Sequence, residues 1–228
     1  MALARFQDLC LDVTDEGLQR SFWSAALGLT PREGRSDPAQ LEGATPQQCL
    51  WLNTVPEPRT VKHRVHLDVD TESVEALEAL GATVLVPATD AQHWTVMADP
   101  EGGEFCAFVR PPERLRPYRL YEVVVDCADP QRMARWWGEV LGLPVGGDAE
   151  HDWWWLEAGS PAAFPFESLV FVPVPEPKRA KNRLHWDVQA PSLDALVAAG
   201  ATVLGEQPHW TVVADPEGNE FCAFPVDE

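Results

Sequence analysis

Basic residues are scarce in this chain. Its 228 residues include 17 Lys and Arg against 36 Asp and Glu, a formal net charge of −19 at pH 7. Phosphate backbones and anionic headgroups repel such a surface, which argues against nucleic acid or an acidic membrane as the main partner. Cysteine is also sparse and unpatterned. Cys10, Cys49, Cys106, Cys127 and Cys222 are odd in number and contain no CxxC pair. A disulfide framework is therefore not expected, and a reducing compartment is. No apolar run approaches the ~18 residues of a membrane-spanning helix, and the opening stretch MALARFQDLC lacks the apolar core of a secretory leader. These absences predict a cytoplasmic protein. Apolar side chains, by contrast, are plentiful: 45% of residues are hydrophobic and ten are Trp. That is enough to bury a core without staples, and it excludes a disordered chain.

The length allows one large domain or two of about a hundred residues each. Self-similarity decides for two. HWTVMADPEGGEFCAF from His93 returns as HWTVVADPEGNEFCAF from His209. VPEPRTVKHRVHLDVD from Val55 returns as VPEPKRAKNRLHWDVQ from Val174, and ALEALGATVL from Ala76 as ALVAAGATVL from Ala195. At the front, LCLDVTDEGLQRSFWSAALGL parallels VVVDCADPQRMARWWGEVLGL, with Asp12 matching Asp126. A repeat of this length outranks any single motif as evidence of architecture. Between the copies the Pro/Arg-rich stretch Val109 to Arg119 reads as a linker, so the units are 1–112 and 117–228, with 113–116 inside the linker.

Within the second copy, LYEVVVD is a β-branched strand. A helix is expected over 129–141, with Asp129 as N-cap, Pro130 at the first helical position and Gly142 as the stop. WWWLEAG and SLVFVPV read as strands. NRLHWDV restarts the pattern, its alternation setting Arg183, His185 and Asp187 on one face and Leu184, Trp186 and Val188 on the other. A short helix ending at Gly200, two strands, a PEGN turn and a last strand EFCAFPV complete the copy. Each copy is thus two βαβββ-like modules. The DPEG turns at Asp99 and Asp215 are explained by turn geometry alone.

The DPEGNEFCAF ending, the KNRLHWDV strand and the DCADPQRMARWWGEVLGL opening resemble the vicinal-oxygen-chelate superfamily of glyoxalases, bleomycin-resistance proteins and extradiol dioxygenases, in its glyoxalase-like branch. The resemblance runs over nearly the whole chain, once per copy. It implies an α+β fold of tandem glyoxalase-like domains packed as an internal pseudo-dimer, in which two modules wrap a curved mixed sheet into a cup that holds the ligand. Metal-dependent members take His and Glu ligands from the first and last strands of each module, a donor set suited to a divalent ion with open positions. Here the first-strand positions fall on Asp8 and Glu122. The matching positions of the second modules fall near Arg64 and Arg183, where an Arg repels a cation. The last-strand position is Cys106 or Cys222, with Glu104 and Glu220 two residues earlier. A mixed site needs each ligand to slide by one pleat: His66, Glu104, Cys106 and Asp8 in one copy, His185, Glu220, Cys222 and Glu122 in the other. No cofactor is therefore expected; if a divalent metal is held, His66, Glu104, His185 and Glu220 are its candidates.

Without metal, the repeated Arg-His-Asp faces, Arg64, His66, Asp68 and Arg183, His185, Asp187, are more polar than a sealed core accepts without partners. Either they form an internal network, or Arg grips a ligand oxygen while His66 or His185 acts as base near neutral pH. Glu104 and Glu220 are further candidate bases, as in the superfamily's isomerases and epimerases. Cys106 and Cys222 read as small buried hydrophobes. Trp153 and Trp155 share one strand face, Trp154 the other, and Trp94 and Trp210 stand at the head of the repeated phrase. Core packing accounts for most of the Trp residues, although adjacent Trp136 and Trp137 cannot both face one core. The lean is toward a richer site in the second copy. Three functions follow: a small-molecule cup for metal-independent proton transfer or binding, a non-catalytic protein sequestering an aromatic compound, and a metal-dependent lyase, isomerase or dioxygenase. The expected partner is a small, planar aromatic or anionic molecule.

Overall fold

The computed structural model describes residues 2–34, 39–159 and 163–226. The first module comprises β1 (Arg5–Val13), α1 (Glu16–Leu27), β2 (Thr30–Pro31), β3 (Ala39–Glu42) and β4 (Cys49–Thr54). The second comprises β5 (Val65–Thr71), α2 (Val74–Ala79), β6 (Thr83–Val86), β7 (Thr95–Ala98) and β8 (Glu104–Val109). After a 3-10 turn at Pro112–Arg114 the third runs β9 (Leu120–Cys127), α3 (Pro130–Leu141), β10 (Val145–Asp148), β11 (Trp153–Glu157) and β12 (Ser168–Pro173). The fourth is β13 (Leu184–Ala190), α4 (Leu193–Ala198), β14 (Thr202–Glu206), β15 (Thr211–Ala214) and β16 (Glu220–Pro225). The long helices begin and end as their sequences direct. Asp15 and Asp129 accept hydrogen bonds from the Leu18 and Arg132 amides, and Gly28 and Gly142 close the helices with φ of 67°.

The modules do not form cups copy by copy. One eight-stranded sheet has the order β14-β15-β16-β13-β1-β4-β3-β2, the other β10-β11-β12-β9-β5-β8-β7-β6. The first therefore joins the first module to the fourth, here called sheet A, and the second joins the second module to the third, sheet B. In each, the opening strands of two modules lie antiparallel at the centre: β1 against β13, and β5 against β9. This corrects the expectation that one copy wraps one cup. What a copy keeps to itself is its apolar core. Phe22 and Trp23 of α1 pack on Phe105 of β8 at 5.7 and 5.5 Å, and Trp137 of α3 packs on Trp186 and Phe221 of the fourth module at 4.8 and 4.9 Å. Each copy buries its helices between its two modules, and the sheets then pair across copies.

Trp136 and Trp137 correct a second expectation, since both are buried, at 8% and 0% exposure. Trp137 enters the core, whereas Trp136 turns toward the end of α4, where its Nε1 donates to the Ala199 carbonyl at 2.8 Å. The repeated DPEG turn does more than reverse the chain. Glu101 accepts from the Thr14 and Asp15 amides, and Glu217 from the Ala128 and Asp129 amides, at 2.5–3.0 Å. A carboxylate at a helix N-terminus meets unpaired N–H groups and the positive end of the dipole. The phrase is built twice because each copy clamps its second module to the first module's helix.

Candidate functional site

Strand alternation sends one face of each sheet to the helices and the other into the cup. On the floor of sheet B, Asp68 lies beside Glu122 on one side and Cys106 on the other, His66 beside Val124, and Glu122 beside Ser168. On the floor of sheet A, Asp8 lies beside Asp187, Cys10 beside His185, and Asp187 beside Cys222. The two sites are hybrids. The second-module residues His66, Asp68 and Cys106 meet Glu122 of the other copy, and His185, Asp187 and Cys222 meet Asp8 and Cys10. The mixed sets drawn from single copies, His66 with Asp8 and His185 with Glu122, are therefore not assembled. A lean toward the second copy loses its meaning for the same reason, because each cup takes one module from each copy.

Burial dominates the electrostatics of both floors. It pushes the Asp68 and Asp187 carboxyls well above the usual range, with Glu122 and Asp8 respectively adding repulsion. Burial likewise drives His66 down to about 3 and His185 to about 4, so both imidazoles are neutral near pH 7. It raises the Cys106 and Cys222 thiols. His66 Nε2 sits 3.6 Å from Asp68, and His185 Nε2 sits 3.8 Å from Asp187 and 3.7 Å from Cys222 Sγ. Cys10 donates to Asp187 at 3.5 Å, and the Trp51 indole donates to Asp8 at 3.0 Å. Asp8 Oδ1, Asp68 Oδ1, Asp187 Oδ1 and His185 Nδ1 are buried without a hydrogen-bond partner among the described residues. Orphaned polar atoms in a sheltered floor are places for an ordered water, an ion or a ligand.

The cups differ in their linings. Over the third-module half of sheet B a cavity of about 860 Å³ is lined by Glu122, Ser168, Trp153, Trp155, Phe166 and Arg116. Trp155 lies across the neighbouring strand, where a Cβ at Gly146 would meet its Nε1 at 2.5 Å, so only glycine admits the indole there. At the rim Trp94 stacks on Phe108 at 6.0 Å and meets Trp153 of the other copy edge-on at 6.2 Å. A bulge between Asp68 and Val69 sets Tyr121 beside Phe108, and Arg110 covers both rings at 4.6 and 5.1 Å while bonding Asp70 at 2.7 Å. Burial pushes the Glu122 carboxyl up to about 7, against a hydrogen bond from Ser168 that favours the ionised form. On sheet A, Trp210 stacks on Phe224 at 5.5 Å, while Gln40 and Trp51 stand where sheet B carries Trp155 and Val170.

Four residues expected to work in the cups are tied elsewhere. Glu104 bonds Arg59 and the His63 amide, each at 3.0 Å, and Glu220 bonds Lys178 at 2.7 Å and the Asn182 amide at 3.1 Å. Both carboxylates anchor the loops that precede β5 and β13, at the end of the strand where those loops fold back. Arg64 donates to the carbonyls of Glu176 and Asp126, and Arg183 to those of Asp12 and Glu57, across the seam between the copies. They sit beyond the start of the strands their sequence neighbours form, which takes them out of the floor.

His, Asp and Cys side chains come close enough to hold a cation in two places, Cys10 with His185 and Asp187, and His66 with Asp68 and Cys106, each set having ligand atoms within 4.8 Å of one another. Imidazole, carboxylate and thiolate together suit a borderline ion such as zinc, and the unpartnered Asp8, Asp68 and Asp187 oxygens accord with that. Glu104 and Glu220 belong to neither set, which corrects their place as metal candidates.

The glyoxalase-like domain family matches residues 8–108 and 122–224. The chain belongs to that family, with two copies of its domain. In fold it is similar to glyoxalase I of Zea mays, at 14% identity and a TM-score of 0.71 over 97% of this chain and 92% of that one. It is also similar to a putative dioxygenase of Bacillus subtilis, at 12% identity and a TM-score of 0.64 over 98% and 86% of the two chains. The cppA protein of Streptococcus pneumoniae aligns at 12% identity with a TM-score of 0.52, over 97% and 99%. None of the curated proteins matches the chain in sequence. Among the described residues no helix is long and apolar enough to cross a membrane.

Proposed function

We propose that the cup of sheet B binds a small planar molecule and moves a proton on it with Glu122, without a metal. One observation carries this reading: the Glu122 carboxyl, which burial pushes up to about 7, stands in a cavity walled by Trp153, Trp155 and Phe166. A base matched to the working pH abstracts and returns protons most effectively, and indole faces hold flat rings while excluding water. Arg116 at the edge offers a cation to a negative substituent or a developing enolate oxygen. His66 and His185, held neutral well below pH 7, serve as hydrogen-bonding groups of the floor. An aromatic library screened by Trp fluorescence tests binding, and proton exchange into deuterated solvent tests catalysis. Glu122→Gln should abolish exchange and leave quenching; exchange at the wild-type rate in that variant would exclude Glu122 as the base.

Binding without turnover is the second reading, favoured by the Trp94–Trp153 contact that gathers indoles from both copies at one rim. It predicts quenching with no chemical change in the ligand. The two His-Asp-Cys sets favour a third. There a divalent ion would supply Lewis acidity, held by Cys10, His185 and Asp187 or by His66, Asp68 and Cys106.

A further inference from the structure

We infer that the cavity between the two cups, on the seam where the copies meet, is a binding site for a compact oxyanion, phosphate or carboxylate, separate from both floors. The cavity measures about 910 Å³ and is formed by two loops that occupy the same place in each copy, 55–64 and 174–183. Six of the chain's 17 basic residues line it: Arg59, Lys62, Arg64, Arg179, Lys181 and Arg183. Four carboxylates, Asp12, Glu57, Asp126 and Glu176, also reach it. Six basic against four acidic residues in the lining contrast with 17 against 36 in the whole chain, with Glu104 and Glu101 standing behind Arg59 and Arg183.

The pairing around the cavity leaves two guanidinium groups, those of Arg64 and Arg183, with buried donors open among the described residues. Lys62 pairs with Asp126 at 2.7 Å, Lys181 pairs with Asp12, and Arg59 is satisfied by Glu104. Arg64 spends its hydrogen bonds on neutral acceptors, the Glu176 carbonyl at 2.7 Å and the Asp126 carbonyl at 2.9 Å, and its Nε has no partner among the described residues. Arg183 does the same with Asp12 and Glu57 carbonyls at 3.0 and 2.6 Å; its Nη2 lies 3.8 Å from Glu101, outside hydrogen-bond reach. Among the described residues Arg64 and Arg179 have no carboxylate within ion-pair distance. Carbonyls orient a guanidinium without using up all its donors, so the Arg64 fork is held with its Nε open, and the Arg183 fork, ion-paired with Glu101 at 3.8 Å, keeps Nη2 free of hydrogen bonds among the described residues for a ligand with planar or tetrahedral oxygens. His63 lines the same cavity, and burial with its neighbours Arg59 and Arg183 holds it down at about 4, neutral and undemanding of a counter-ion. Overall negative charge keeps casual anions away, and the local concentration of basic residues selects those that fit.

Isothermal titration of the full chain with inorganic phosphate, pyrophosphate and succinate, in a low-salt buffer of matched ionic strength, tests the site. Saturable binding of at least one of the three is expected, weakening as chloride is raised. Lys62 and Lys181 have 62% and 56% exposed side chains, and Gln can still donate to their buried partners Asp126 and Asp12, so Lys62→Gln with Lys181→Gln removes two of the six cations while keeping a donor for each carboxylate. Affinity in that double variant should fall by about tenfold or more. Arg116→Ala, at the sheet B cup, should leave it unchanged. No saturable heat with any of the three anions, unaltered affinity in the double lysine variant, or loss of binding in Arg116→Ala would each overturn the assignment.

Discussion

Replacing Glu122 by Gln probes the cup floor through stability as well as activity. Burial moves this carboxyl from 4.5 to about 7 in the folded chain. Between those values the native state holds a proton that the unfolded chain has released, so stability falls as pH rises and the full penalty is present above 7. Linkage makes that penalty roughly 3 kcal/mol at most, of which about 2.5 kcal/mol develops between pH 5 and pH 8. Gln keeps the shape and the acceptor for Ser168 but does not titrate. Urea denaturation of both proteins at pH 5 and pH 8 should show the variant gaining on the wild type by roughly 2 kcal/mol at the higher pH, since water in the cavity screens part of the effect. Asp68, raised by burial first and by Glu122 next, shifts the difference in the same direction. Parallel behaviour of the two proteins across this range would mean that Glu122 is an ordinary solvated carboxylate, and the proton-transfer reading would lose its base.

Trp155→Ala should remove most ligand-induced quenching at constant fold, and Gly146→Ala should do the same by forcing the indole aside; retained quenching in both would place the ligand elsewhere. His185 titrates near 4 in the fold against 6.5 unfolded, so its contribution is full above 6.5 and lost as pH falls toward 4. His185→Gln should therefore cut acid sensitivity by up to roughly 3 kcal/mol across that window, read from denaturation midpoints. Gly28→Ala should destabilise by several kcal/mol, as a Cβ there would lie 2.0 Å from the Pro117 carbonyl oxygen at a φ of +67°. Elemental analysis of protein purified without chelator separates the functional readings. The metal-free cup predicts well under one equivalent, and one or two equivalents of a single divalent ion, lost in Cys10→Ser or Cys106→Ser, would move the His-Asp-Cys sets to the centre.

Local chemistry was readable along the chain. The α3 helix begins at its Asp129-Pro130 signal and stops at Gly142, and the Trp153-Trp154-Trp155 run divides between cup and core as strand alternation requires. The resemblance to glyoxalase-like proteins identified the family. The short strands β2, β3 and β10 were not anticipated, since pieces such as VGGD carry no propensity and are held only by pairing with their neighbours. Residues at strand mouths were misjudged for a related reason. Glu104, Glu220, Arg64 and Arg183 have the parity of the floor, yet each finds a nearer partner in a loop whose path is not encoded by alternation.

By itself the sequence determined that one unit is written twice, which residues point together from each strand, and that the polar faces carry His, Asp and Cys. Only the tertiary structure decided which faces meet. Each copy buries its helices between its own two modules, which leaves the edges of β1, β5, β9 and β13 to be satisfied by strands of the other copy. Pairing across copies put Glu122 beside Asp68 and Asp8 beside Asp187, and brought the loops of both copies to one seam. Backbone hydrogen bonds of an edge strand are nearly indifferent to sequence, so the partner is chosen by the packing of the whole molecule.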